Sequence, residues 1–177
     1  MATSLQIACE VLPHFEANAL NGHTRTYGFY AQAIGRNPAK DAMAIGKAMH
    51  IIGAACIMAA VPVAPIHFVD RADGEWRGIF ERSALERTYL LPHWDVLVVS
   101  SRAHKYTSDE FRTMAILLND RVPTVFPEDM QTPDKIWQIL IPMRDHRANG
   151  ERTLLQTALI RYEQIIAEAK ARRPARS

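Results

Sequence analysis

Residues 26–35, TYGFYAQAIG, place Tyr27, Tyr30, Ala31 and Ile34 at i, i+3, i+4 and i+7, one face of a helix, and Gly35 stands where that helix would stop. The next residues, RNP, carry a start signal: Asn37 can cap a helix and Pro38 suits its first position. An alanine-rich apolar stretch from Ala39 towards Met58 then predicts a long helix, so residues 26–58 outline a helix-turn-helix. Beyond it, PIHFV and EWRGIF flank DRADG, which reads as two strands of a hairpin around an Asp-Gly turn. A helix-turn-helix followed by a hairpin is the layout of a winged helix.

The second half of the chain is less periodic. SALERTYLL (83–91) suits a helix, and HWDVLVVSS (93–101) has the β-branched core of a strand. Thr107 and Glu110 form a capping box ahead of DEFRTMAILL. Residues 119–135 carry Pro123, Pro127 and Pro133 without periodicity and read as a linker or wrapping segment. Over 151–172, Leu155, Ala158, Leu159, Tyr162, Ile165, Ile166 and Ala169 line one helical stripe that must pack on the body or on a partner. The fold class expected is mixed α/β (α+β): a winged helix-turn-helix over residues 20–82, then residues 83–177 as an added strand-helix unit, a Pro-containing linker and a long C-terminal helix.

Composition is that of an ordinary globular chain: 48% hydrophobic, 23% charged, formal charge +2 over 177 residues. No global field attracts nucleic acid, so a duplex-binding surface has to be local. From Arg144 onward eight Arg or Lys stand against four Asp or Glu. These read either as cations complementing a helix C-terminus or as a basic arm for phosphate. Cys9 and Cys56 are too few for a disulfide framework or a four-cysteine zinc site, and both sit in apolar surroundings. The N-terminal residues lack the basic and long apolar regions of a secretory signal, and the stretch from Ile51 to Pro65 is too short and too interrupted for a membrane span. A cytoplasmic protein is the expectation.

Three segments in order, TYGFYAQAIGRNP, AMAIGKAM and VPVAPIHFV, resemble the DNA-binding domain of the O6-alkylguanine-DNA alkyltransferases and their alkyltransferase-like relatives. The likeness spans roughly residues 20–80, with HIIGAACIMA as an extra stretch between the second and third segments. It implies a winged helix-turn-helix that enters the minor groove of duplex DNA and flips a modified guanine into a pocket. By position, Tyr27 resembles the tyrosine that presses on the backbone beside the flipped nucleotide. Met43 takes the place of the arginine that fills the vacated stack, and His67 matches the family histidine. Ile66 takes the place of the acceptor cysteine, and Phe68 that of the strand arginine. Alkyl transfer needs a thiolate attacking the alkyl carbon, and isoleucine has no lone pair to offer. The resemblance therefore implies a DNA-binding protein without an alkyl acceptor, with no cofactor.

The expected DNA face is Tyr27, Lys40, Met43 and Lys47, the last three at i, i+3 and i+7 on the second helix, with Arg71 in the wing. The expected pocket is Ile66 and His67, bounded by the recognition helix and by Trp76 or Phe80. His67 is either a base-reading group in that pocket or a core imidazole held by a backbone carbonyl or water. Two further constellations are open: His67 with Asp70 as a hydrolytic pair, which strand alternation opposes, and His93, His104 and Asp95 as a metal or acid-base site. No histidine pair has H-x-x-x-H spacing, so no metal is expected. The functional expectation is a non-catalytic alkyltransferase-like protein that binds double-stranded DNA. Its alternatives are a protein–protein or homo-oligomeric scaffold joined through the C-terminal helix, and a DNA base-processing hydrolase.

Overall fold

A computed structural model describes residues 2–70, 84–119 and 154–171, together with residues 134, 135, 137 and 140. The first helix, α1 (Ser4–Leu20), is fixed at its start by a capping box in which Thr3 Oγ1 accepts from the Gln6 amide and Gln6 Oε1 accepts from the Thr3 amide. Its Leu5, Ala8, Leu12, Phe15 and Ala19 recur at helical spacing and are buried. Pro13, which cannot donate to the helical ladder, sits on the exposed side.

A short strand, β1 (Arg25–Thr26), leads into α2 (Tyr27–Ala33) and α3 (Pro38–Met58). Both helices form where the apolar spacing and cap residues predict them. From Ile45 onward all but one residue of α3 is buried, and the helix packs against both α1 and α2. By length and mean hydropathy (1.3) α3 could cross a membrane, yet 72% of that window is buried inside the fold. Gly53 marks its closest approach: a Cβ there would lie 3.3 Å from Val63 Cγ1.

The sequence predicts a strand at PIHFV, but the chain forms one helical turn, α4 (Pro65–Phe68), and only then extends as β2 (Val69–Asp70). Pro65 opens the turn, and the amides of His67 and Phe68 both donate to the Ala64 carbonyl. A helical turn does not alternate faces, so the strand argument separating His67 from Asp70 does not apply. The β2 strand pairs in parallel with β1, Arg25 opposite Val69 and Thr26 opposite Asp70. This two-residue ladder is the only strand pairing among the described residues. The mixed α/β expectation is therefore corrected to a mainly helical fold. The wing, residues 71–83 with Arg71, Trp76 and Phe80, lies outside the described residues.

The larger correction is at 93–101. Instead of a strand, the chain runs from α5 (Ala84–Tyr89) through a 3-10 turn (Leu91–His93) into α6 (Trp94–Ala103). Burial explains the change. Leu97 and Ser101 are buried four residues apart and Trp94 and Val98 are partly buried with the same spacing, while Val99 is 38% exposed. In a strand Val96 and Val98 would share a face opposite Leu97. A helix instead gathers Trp94, Leu97, Val98 and Ser101 against the body, and this packing outweighs the β-propensity of the valines. Asp95 in the first turn and Arg102 in the last suit the helix dipole. The expected strand-helix unit is thus helical throughout its described part.

Thr107 and Glu110 do start α7 (Ser108–Asn119): the Thr107 amide donates to Glu110 Oε2 at 2.8 Å, and the Glu110 amide to Thr107 Oγ1 at 3.3 Å. The last helix, α8 (Leu154–Ala171), buries Tyr162 and Ile166 and packs on α6 and α3, so this part of the C-terminal stripe is used within the chain. Phe15 sits at the centre of the core, with ring centroids 5.9 Å from Tyr30, 6.4 Å from Phe68 and 6.0 Å from Phe111. Tyr106 closes this aromatic group against Phe68 at 5.5 Å, and its hydroxyl donates to the Pro62 carbonyl at 3.0 Å with Ser101 Oγ at 3.1 Å.

Candidate nucleic-acid interface

The helix-turn-helix is held at each joint by side-chain caps. Thr26 Oγ1 accepts from the Phe29 amide at 3.2 Å to start α2. The turn then closes through Gly35, whose φ of +72° is the left-handed conformation that glycine adopts without strain. The Gly35 amide donates to Gln32 O and the Arg36 amide to Ala31 O, satisfying carbonyls at the end of α2. Asn37 Oδ1 accepts from the amides of Ala39 (2.9 Å) and Lys40 (3.2 Å), while Asp41 Oδ2 takes the Asn37 amide at 3.0 Å. The entry angle of α3 is thereby set by three side-chain hydrogen bonds.

These caps present the first turns of α3 outward. Lys40 is exposed, Met43 is 64% exposed and Lys47 is half-buried. Tyr27 is half-buried at the start of α2. Of the sequence-predicted DNA residues, then, Tyr27, Lys40, Met43 and Lys47 belong to one helix-turn-helix unit, and Arg71 lies outside the described residues. Two residues that sequence reasoning missed flank Tyr27 in the chain. Arg25 places its guanidinium 5.2 Å from the centroid of the Phe29 ring, and Phe29 is 39% exposed. A cation next to the N-cap Thr26 was the available signal. Arg36, by contrast, is tied to Glu10 at 3.1 Å.

The expected pocket pair has separated. Ile66 is buried in the core, whereas His67 is partly exposed, with its ring 4.6 Å from that of Phe68 and its carbonyl accepting from Thr24 Oγ1 at 3.4 Å. Burial, and then the positive charge of Arg102, hold the His67 imidazole below its ordinary pKa. The β1–β2 ladder still carries the end of α4 to the start of α2, so the His67 and Tyr27 segments are spatial neighbours. Trp76 lies outside the described residues.

The other constellation is not assembled. His93 and Asp95 border a cavity of about 260 Å³ beside Lys170, while His104 borders a different one and bonds Glu110 at 2.8 Å. Among the described residues, no group of three or more His, Cys, Asp or Glu could hold a metal. Neither cysteine is poised to react. Burial pushes the Cys9 thiol up to about 11 and the Cys56 thiol up to about 12. No family model, curated protein or solved structure matches the chain. The likeness to the alkyltransferases therefore stands on its short motifs alone.

Proposed function

We propose that this protein binds double-stranded DNA through its helix-turn-helix, without alkyl-transfer chemistry. The observation that carries the reading is the open face of α3: Lys40 and Met43 are exposed, with half-buried Lys47 on the same face, on a helix whose other residues from Ile45 onward are buried. Two lysines suit the phosphates flanking a groove, and Met43 between them is an apolar side chain able to press between base steps. Arg25 and Phe29 widen the face at the start of α2 and add a cation and a ring. With a formal charge of only +2, affinity should come from few phosphate contacts and depend on salt accordingly.

The test is fluorescence anisotropy on a labelled duplex at several salt concentrations. Each phosphate-contacting lysine removed should reduce the magnitude of the log–log salt slope by about one unit. A Lys40→Ala, Lys47→Ala double variant is expected to bind more weakly at every salt concentration and with a shallower slope. Equal affinity and slope in wild type and variant would remove this face from consideration.

A further inference from the structure

A cavity of about 250 Å³ opens between the end of α3, helix α6 and helix α8, away from the exposed turns of Lys40 and Met43. Pro62, Val99 and Ile165 are among its apolar walls, and its polar side chains are those of Ser100, His104, Arg161 and Glu168. An engineered apolar cavity of about 150 Å³ accommodates benzene, so this volume suits a ligand of roughly ten non-hydrogen atoms.

We infer that this cavity binds a free α-amino acid with a branched apolar side chain. The charges decide the class. Arg161 and Glu168 lie on the same helix with Nη1 and Oε1 4.0 Å apart, the long limit of an ion pair, and both are about half exposed. The shorter bond of Arg161 Nη1 is to Gln164 Oε1 at 3.1 Å. A simple carboxylate entering here would meet Arg161 but be repelled by Glu168. A simple amine would meet Glu168 but be repelled by Arg161. A zwitterion satisfies both, with its carboxylate on the planar guanidinium fork and its ammonium on the Glu168 carboxylate. His104, whose Nε2 lies 2.8 Å from Glu110 Oε1, closes the polar side of the cavity. The branched side chain then fills the space against Val99, Ile165 and Pro62.

Ala60 borders the cavity and is the only described residue other than glycine with positive φ, at 59°. Its amide donates to Ile57 O, and the following Val61 amide to Cys56 O. These are the 5→2 and 6→1 bonds that close a helix C-terminus, so left-handed Ala60 is the cap that ends α3 and turns the chain into the cavity wall. Pro62, the next wall residue, is held in place by the Tyr106 hydroxyl on its carbonyl. The site does not depend on the DNA-binding reading.

Calorimetric titration of the full chain with L-leucine, isocaproate, isoamylamine and glycine tests this. Isocaproate lacks the ammonium, isoamylamine the carboxylate, and glycine the apolar body. Leucine is expected to saturate at millimolar concentration or below, and each analogue to bind at least tenfold more weakly. Arg161→Gln and Glu168→Gln should each weaken leucine at least tenfold with an unchanged melting temperature, because both side chains are half exposed. Ala103→Leu, which fills the cavity from its exposed wall, should abolish binding. Absence of saturable leucine binding, or equal binding of leucine and isocaproate, overturns the proposal. So does a folded Arg161→Gln variant that binds as wild type. Should a variant fail to fold, the analogue series on the wild-type chain decides alone.

Discussion

At the scale of the residue, Cys56 shows why nothing here resembles an alkyl acceptor. Its thiol lies 3.5 Å from Met114 Sδ in a fully enclosed part of the core, and burial, the largest influence, raises its pKa from 9.0 to about 12. Only a thiolate attacks an alkyl carbon, and at neutral pH this group is protonated and out of reach. Incubation with duplex containing O6-methylguanine should leave the protein's mass unchanged; a stoichiometric methyl adduct on Cys56 or Cys9 would contradict this. The same shift fixes a sign for stability. Below the unfolded value both states hold the proton and the contribution is fully present. Between 9.0 and about 12 the unfolded state ionises first, so stability falls as pH rises. The melting temperature of Cys56→Ala should accordingly decline less than that of the wild type as pH is raised above the unfolded thiol value. Parallel curves would show that the thiol is not the group responsible.

At the scale of the element, the parts legible in the sequence are those whose ends are written in side chains. Asn37 and Pro38 start α3, Gly35 ends the preceding turn, and Thr107 with Glu110 starts α7; each does so by hydrogen bonds or backbone geometry that its residue type supplies locally. Replacing Asn37 by Ala removes acceptors from two amides and should cost about 1 kcal/mol, within the range measured for caps. A chemical-denaturation midpoint identical to wild type would mean that Asp41 and water replace the cap. What the sequence hid was decided at longer range. The valines of α6 favour a strand in isolation, and only the surface offered by α4 and α8 makes a helix the better burial. PIHFV carries the apolar run of a strand, yet Pro65 is well placed to open a helical turn, a second use of proline that periodicity does not distinguish. The exposure of Lys40 and Met43 was legible because the apolar residues of α3 concentrate from Ile45 onward and leave its first turns more polar. The α6–α8 cavity was not, because its walls come from residues 60 and 168 and no local pattern links them.

At the scale of the molecule, one buried cluster runs from Leu5 to Ile166 and includes residues of α1, α2, α3, α4, α6, α7 and α8. Phe15 is its junction: a single ring touches Tyr30 of α2, Phe68 of α4 and Phe111 of α7. Elements on either side of residue 82 therefore share packing atoms, and removing those atoms should be felt on both sides at once. Phe15→Ala and Phe111→Ala are each expected to cost about 3–5 kcal/mol. Their rings lie 6.0 Å apart, so the double variant should lose less than the sum, the second cavity opening into the first. Unfolding should also remain a single transition, because α1 packs against both α3 and α7. The two cycles to compare are denaturation followed by Trp fluorescence and by far-ultraviolet circular dichroism, in wild type and in Phe15→Ala. Coincident curves that shift together to lower denaturant match a shared core. Two separated transitions, only one of which moves in Phe15→Ala, would show instead that residues 20–82 and 83–177 fold as independent units and that the aromatic junction merely bridges them.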